Sequence, residues 1–239
     1  MPEPKTNSFD PDLLRPVAYI AEPHPISAGF GFSSLRKGLS DYHAQVSVLV
    51  LNKMVPEDVL LHFETAKNLF LYGWFVYRFF MVADHQALVA LELALRMRCG
   101  NEIPKRYYPR SKHATLEPLL RYAIHERYIK HEGFRRWKEQ AESKARSRYR
   151  EQKIKEMHEQ KLDRIALDYS EAEVLDQDRN WWYLETLLKV LVGERNTHAH
   201  GSTSIEAPSA SGLELVAEVI NQLFPDDPVR PPNLGKRDK

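Results

Sequence analysis

The segment 83–98, with the sequence ADHQALVALELALRMR, decides the fold class of this 239-residue chain. Its apolar residues recur at spacings of three and four: Ala87, Leu88, Leu91 and Leu95. That spacing is the period of one face of an α-helix. Arginines occupy the last turn and Gly100 follows, which is typical of a helix C-terminus. The segment is therefore predicted to be an amphipathic helix with a buried apolar stripe.

The same period recurs on both sides of this segment. Pro56, followed by two acids, predicts the start of the preceding helix, with Gly73 or Asp84 as the break between the two. Further helices are predicted over 116–128, over the long charged stretch 134–167 and over 213–224. Another apolar helix is predicted to contain Trp181 and Trp182 and to be capped by Asp176 or Asp178. No sustained alternating pattern accompanies them, so the chain is predicted to be an all-α helical bundle.

Prolines concentrate at the two ends of the chain. Six of the 15 lie in the first 25 residues, and four more lie between 225 and 232. Because proline lacks an amide donor and fixes φ, both ends are expected to be irregular. The sequence predicts a partly irregular N-terminal extension over 1–55, a helical domain over 56–224 and a disordered tail over 225–239.

Composition excludes several classes of protein. The 34 Lys and Arg nearly balance 33 Asp and Glu, so a globally basic nucleic-acid coat is excluded. Cys99 is the only cysteine, which excludes an intramolecular disulfide and a zinc site with two or more thiolates. There is no dinucleotide loop, phosphate loop or Gly-x-Ser-x-Gly elbow, and no cofactor is expected. No apolar signal segment is visible, and Arg78 interrupts the most apolar stretch, so we expect a soluble, cytoplasmic protein that does not enter membranes.

The strongest chemical signal is the segment Arg195-Asn196-Thr197-His198-Ala199-His200. A neutral imidazole can take the proton of a ribose 2′-hydroxyl, and a guanidinium can hold two phosphate oxygens as charge develops, without a metal. Asn196 can orient the imidazole or donate to the phosphate. On a continuous helix Asn196 and His200 would share a face, but Arg195 and His200 would be offset by roughly 140°. Arg195 must then reach around, the helix must break, or a second subunit must complete the site.

This segment resembles the R-x4–6-H signature of the HEPN superfamily, and 86–96 resembles a helix of bacterial HEPN-type proteins. The resemblance covers about 56–224 and does not account for the charged stretch. It implies a HEPN-like bundle that forms a homodimer, with a groove lined by catalytic Arg195, Asn196 and His200. His198 is an added basic group, and His198 and Glu92 are candidates for supporting roles.

The resemblance also implies an activity and its partners. Many catalytic relatives are metal-independent endoribonucleases of toxin–antitoxin, phage-defence or RNA-processing systems, whereas others are non-catalytic binding modules. The corresponding expectation is RNA cleavage to a 2′,3′-cyclic phosphate, with RNA and an antitoxin or another complex subunit as candidate partners. The rival expectation is a non-catalytic helical module that binds a protein or RNA.

Two basic stretches are predicted to position RNA. Within 102–112 four cations accompany one acid, and between 130 and 164 twelve cations accompany seven acids. Such groups can hold a phosphate backbone, although a charged helix can also be a solvated face. The predicted RNA-binding residues are Lys105, Arg106, Arg110, Arg135, Arg136, Arg146, Arg148 and Arg150.

Plainer interpretations of the same residues stay open. The segment 195–200 can be an ordinary helix C-terminus whose cations satisfy carbonyls, and two histidines form too small a ligand set for a metal. Glu92 and Arg96 fit a surface ion pair worth ~0.3–0.5 kcal/mol. The segment 181–183 (Trp-Trp-Tyr) fits core and dimer contacts, with a base-stacking platform as the alternative.

Overall fold

A computed structural model of the chain describes residues 20–24, 27, 38–200 and 209–226, with side chains on the helix that ends at 200 described as far as Thr197. Within these residues there are α-helices and short 3-10 turns but no strand, so the all-α prediction is confirmed there. The helices are α1 (Leu39–Ser47), α2 (Glu57–Tyr72), α3 (Phe79–Cys99), α4 (Leu116–His125), α5 (Arg135–Glu159), α6 (Asp176–Arg179), α7 (Tyr183–His200) and α8 (Ser211–Leu223). The 3-10 turns are Lys105–Tyr107, His131–Gly133 and Tyr169–Glu171.

Helix α3 is the centre of the bundle and packs against α2, α4, α7 and α8. Its buried positions cover about half of the helix circumference at 100° per residue. They are Phe80, Ala83, Ala87, Leu88, Ala90, Leu91, Ala94, Leu95 and Cys99. The many alanines allow neighbouring helices to approach closely on several sides, which is why this segment organises the core.

An aromatic cluster fixes the turn between α2 and α3. The ring of Tyr42 lies 5.8 Å from Phe70 and 5.5 Å from Phe80, and the latter two rings meet edge to face at 5.1 Å. A Cβ on Gly73 would lie 2.6 Å from the ring of Phe80, so only glycine fits at this close approach. The helix break at Gly73 is therefore confirmed, and the alternative break at Asp84 is wrong because Asp84 lies inside α3.

The packed body begins before Pro56, contrary to the predicted boundary of the N-terminal extension. Helix α1 buries Tyr42 and Val46, and the chain after it buries Leu49 and Leu51. Asn52 then joins this segment to the end of α8: its backbone N–H donates to Asn221 Oδ1 at 2.7 Å, and its side chain donates to the carbonyls of residues 221 and 224. Residues 38–55 thus belong to the helical core.

Helix α5 is shorter than the predicted 134–167. Its narrow buried stripe, Ala141, Ala145 and Tyr149, is covered by α6 and by the neighbouring 3-10 turns. The helix ends because Lys161 adopts φ 53°, and the N–H of Leu162 donates to the carbonyl of Met157 at 2.9 Å. This is the Schellman arrangement, in which a left-handed residue satisfies the last carbonyls of a helix.

Candidate functional site

Helix α7 carries the Arg-Asn-His segment and is attached to the core through its first half. Tyr183, Leu187 and Leu191 recur every four residues, and all three are buried. Helix α7 packs against α3 and α4 along this stripe. The apolar spacing that predicted a helix in this segment therefore also determines that the first half of α7 packs on the core.

The second half of α7 leaves the core before the candidate site begins. Within the described part of α7, no residue after Leu191 is buried: Gly193 has open space where a Cβ would lie, Arg195 is half-buried, and Asn196 is exposed. The side chains of His198 and His200, both candidate site residues, lie outside the described residues. Of the predicted catalytic side chains, Asn196 is thus exposed, whereas Arg195 is half-buried and lies four residues beyond Leu191 on the same side of the helix.

The backbone of α7 is helical without a break from Tyr183 to His200. One of the three routes to a converged site, a helix break between positions 195 and 200, is therefore absent. On this continuous helix, position 196 shares a face with position 200, and position 195 is offset from position 200 by roughly 140°. Convergence then requires either that Arg195 reach around the helix or that a second copy of the chain contribute to the site.

Glu92, a predicted supporting residue, forms an ion pair on its own helix. Arg96 Nη2 donates to Glu92 Oε1 at 2.6 Å, and the two side chains are 43% and 21% exposed. The i,i+4 ion pair read from the sequence is confirmed. A role for Glu92 in the site stays a prediction.

The first predicted RNA-binding stretch is a loop in which cations lie over aromatic rings. Lys105 Nζ lies 4.5 Å from the centre of the Tyr108 ring and also donates to the carbonyl of Ser111. The guanidinium of Arg106 lies 5.5 Å from the centre of the Tyr107 ring. Arg110, the third predicted cation, is exposed. Cations held over aromatic faces keep their charge at the surface, so this loop retains the basic character that the sequence predicts.

Arg148, by contrast, belongs to the structure of α5 and not to a free surface. It donates to Asp178 Oδ2 at 2.9 Å and to the carbonyl of Glu173 at 2.7 Å. The hydrogen bond from Arg148 is the main reason that the pKa of Asp178 lies below its usual range. Arg148 Nη2 thus holds Glu173 and Asp178, before and within α6, against α5, and a role for Arg148 in binding RNA stays a prediction.

Arg135 is likewise used within the fold. Its side chain donates to Glu214 of α8, and its backbone N–H donates to Glu218 at 2.8 Å. The hydrogen bond to Glu214 raises the pKa of Arg135. This arrangement places carboxylates at the positive N-terminal end of α5 and joins α5 to α8, so Arg135 is also removed from the set of free cations.

The remaining predicted cations of α5 are accessible. Arg146 has only a 3.6 Å contact with Glu142 on its own helix, and exposed pairs of this kind contribute little. Arg136 and Arg150 are exposed and form no ion pair within the described part of the chain. These three residues lie away from the buried stripe of α5 and can contact a polyanion.

A cleft at the start of α7 was not identified as a site from the sequence. Trp182 is 71% exposed there, whereas Trp181 is half-buried and Tyr183 is buried. Tyr183 is therefore a core residue as predicted, Trp182 is not part of the core, and a dimer contact or a base-stacking platform at Trp182 stays a prediction. His131 lines the same cleft, and nothing in the sequence joins it to residues about 50 positions away.

Other chemistry is limited in the described part of the chain. Burial raises the pKa of the Cys99 thiol to about 11, so this cysteine is not a nucleophile near neutral pH. The described residues contain no group of three or more His, Cys, Asp or Glu side chains placed to hold a metal ion. Of the helices described, none has the length and apolar character needed to cross a membrane.

The fold and the candidate site together define an α-helical protein with a half-buried Arg195 and an exposed Asn196 near the end of a helix. Comparisons with family models, with curated proteins and with solved structures gave no significant match.

Proposed function

We propose that this chain is a metal-independent endoribonuclease with a HEPN-like dimeric site, acting in a toxin, defence or RNA-processing role. The observation that supports it is the position of Arg195 and Asn196, which lie where α7 extends beyond the core. A guanidinium and an amide in that position are accessible to a phosphodiester. The accessible cations Arg106, Arg110 and Arg136 provide further contacts for the RNA backbone.

In the proposed reaction His200 takes the proton of a ribose 2′-hydroxyl. The 2′-oxygen then bonds to phosphorus, the bond from phosphorus to the 5′-oxygen breaks, and the departing 5′-oxygen takes a proton from water, which leaves the proton on His200 to return to solvent. The products are a 2′,3′-cyclic phosphate and a 5′-hydroxyl. Arg195 holds the non-bridging oxygens as negative charge develops, and Asn196 orients the imidazole.

The second candidate is a non-catalytic helical module that binds a protein or RNA partner. The continuous helix favours it, because positions 195 and 200 lie on different faces of α7 in one copy of the chain. The use of Arg135 and Arg148 within the fold favours it too, because fewer cations remain for a substrate.

Incubation of the purified chain with RNA in EDTA distinguishes the two candidates. We expect cleavage by the wild type and a loss of about 100-fold or more in both Arg195→Ala and His200→Ala, since each removes a group that acts in the transition state. Thr197→Ala is the matched control, because it changes an exposed residue of the same helical turn and should cleave at the wild-type rate.

Circular dichroism and thermal melting of each variant check that the helix content is retained. Cleavage at the wild-type rate by both Arg195→Ala and His200→Ala would contradict the proposed mechanism. Absence of cleavage by the wild type, with retained binding of RNA or protein, would favour the non-catalytic module.

A further inference from the structure

A cleft of about 430 Å³ lies where the end of α4, the turn at 131–133 and the start of α7 meet. Its walls include Ile124 from α4 and Leu184 from α7. The residues that give it chemical character are His131, Arg179, Asn180, Trp181, Trp182 and Glu185. The proposed cleavage reaction uses none of them.

The aromatic wall of the cleft combines a fixed ring with an exposed one. Trp181 meets Tyr183 edge to face at 4.8 Å, and Tyr183 in turn lies 4.9 Å from the buried ring of Phe134. The core therefore holds Trp181 in place. Trp182 has 71% of its surface exposed, which is unusual for the largest apolar side chain. An exposed indole beside a fixed one is suited to stacking against a planar ring.

The polar wall has hydrogen-bonding capacity that the described fold does not use. His131 Nδ1 is buried and has no hydrogen-bond partner, although the ring lies against Trp137 at 5.8 Å. The side-chain amide of Asn180 forms no hydrogen bond with any described residue. An amide offers a donor and an acceptor side by side, and this pair matches the edge of a nucleobase.

Cations lie beside these groups. Arg179 is held only by Asp176, whose side chain is fully exposed, and such a pair contributes little. Lys144 of α5 places Nζ 3.4 Å from the backbone carbonyl of Asn180. Glu185 is the one acid among the wall residues named above. Arg179 and Lys144 can each contact a phosphate, but Asp176 and Glu185 balance their charge, so the match to a nucleotide rests on the indole and amide groups.

We infer that this cleft binds one unstacked base of a single-stranded RNA. The base stacks on Trp182, its edge faces Asn180 and His131, and its flanking phosphates lie near Arg179 and Lys144. The choice of RNA as ligand rests on the proposed function, but binding at this cleft does not require cleavage.

The cleft is separate from the proposed catalytic groups along α7. Leu184 and Arg195 are 11 residues apart on one continuous helix, which corresponds to about 16 Å at the helical rise. This span corresponds to about five nucleotides at a stacked spacing of 3.4 Å. The bound base is therefore several nucleotides away from the phosphate that is cleaved.

The test measures binding of a fluorescein-labelled 2′-O-methyl 12-mer of mixed sequence by anisotropy. This probe lacks the free 2′-hydroxyl that the proposed reaction needs, so binding is read without cleavage. We expect Trp182→Ala to weaken binding by about 5- to 150-fold, the range for loss of one base–aromatic stack. Asn180→Ala should weaken it as well. The matched control is Tyr72→Ala, which removes another exposed aromatic ring (56% exposed) and should bind as the wild type does.

The outcomes separate this inference from the proposed function. Binding that depends on Trp182 and persists in Arg195→Ala supports the cleft, even if the wild type cleaves no RNA. Equal binding by Trp182→Ala and wild type, or no binding of the probe by the wild type, overturns the inference. A proline-rich peptide that binds through Trp182 while the RNA probe does not bind overturns it too, and makes the cleft a peptide site.

Discussion

Arg148 and Asp178 lie 30 positions apart in the sequence, yet the guanidinium donates to the carboxylate at 2.9 Å. The side chain of Asp178 is only 6% exposed, and the same Oδ2 accepts the backbone N–H of Leu175. One carboxylate thus joins α5 to the segment that contains Leu175 and Asp178. The excess of cations between 130 and 164 led to the prediction that Arg148 binds RNA. A count of charges along the chain does not show that a cation has a partner 30 positions away.

This carboxylate predicts a pH-dependent stability. The pKa of Asp178 in the folded protein is lowered, mainly by the hydrogen bond from Arg148. The ionised carboxylate therefore stabilises the fold at pH values above its pKa in the unfolded chain. This stabilisation is lost as the pH falls through its pKa in the folded protein. Asp178→Asn should lower the melting temperature at pH 7. The difference from wild type should shrink as the pH falls below about 4.

Thermal melts from pH 7 to pH 3 check this, with Asp176→Asn as the matched control. Asp176 is fully exposed and pairs with Arg179 at 3.1 Å, so its loss should change the melting temperature little at any pH. A melting-temperature difference for Asp178→Asn that stays constant down to pH 3 would contradict the role given to the ionised carboxylate.

At the candidate site, the types of chemical group could be predicted from the sequence, but the relative positions of their side chains could not. The order Arg-Asn-x-x-x-His identified groups suited to phosphate chemistry, and the structure places Arg195 and Asn196 beyond the last buried residue of α7. The sequence offered the segment 181–183 as an alternative stacking platform, but it contained no signal that His131 would line the same cleft, because the two come together only through packing.

At the scale of elements, the helices were predictable from apolar spacing, but two of their ends were not. Helix α4 ends at His125 instead of 128, and α5 ends at Glu159 instead of 167. In both cases a non-glycine residue, Arg127 at φ 61° or Lys161 at φ 53°, adopts the left-handed conformation after the helix. Glycine is the usual signal for this ending, so a sequence without it gave no indication of either end.

These two endings predict stabilising substitutions. Lys161→Gly should raise the free energy of unfolding by about 0.5–1 kcal/mol, because glycine adopts a left-handed φ without the steric cost that other residues carry. Lys155→Gly, the same change inside α5, should lower it by about 0.7–1 kcal/mol. Urea denaturation measures both. A Lys161→Gly variant less stable than wild type would contradict the assigned helix ending.

At the scale of the whole molecule, the packing of residues before Pro56 was not predicted, because their partners lie far away along the sequence. Helix α1 is only nine residues long and gives a weak periodic signal, and its importance depends on rings that follow much later in the chain. The bonds from Asn52 to Asn221 join positions 169 residues apart. The all-α class and most helix positions could be predicted from local patterns in the sequence. The extent of the core could not, because it depends on these long-range contacts.

The continuous α7 also predicts how copies of the chain cooperate in the proposed enzyme. If Arg195 of one copy serves His200 of another, a mixed dimer of Arg195→Ala and His200→Ala contains one intact site out of two. Refolding the two inactive variants together at equal concentration should restore about a quarter of wild-type cleavage, because about half of the dimers are mixed. No recovery in dimers shown to be mixed would mean that each site lies within one chain.

The central claim is a reaction class, and the ends of the RNA products test it most directly. We predict that RNA incubated with the purified wild-type chain in EDTA acquires 2′,3′-cyclic phosphate and 5′-hydroxyl termini, and that RNA incubated with His200→Ala does not. Products with 3′-hydroxyl and 5′-phosphate termini, or RNA that stays intact with the wild type, would contradict it.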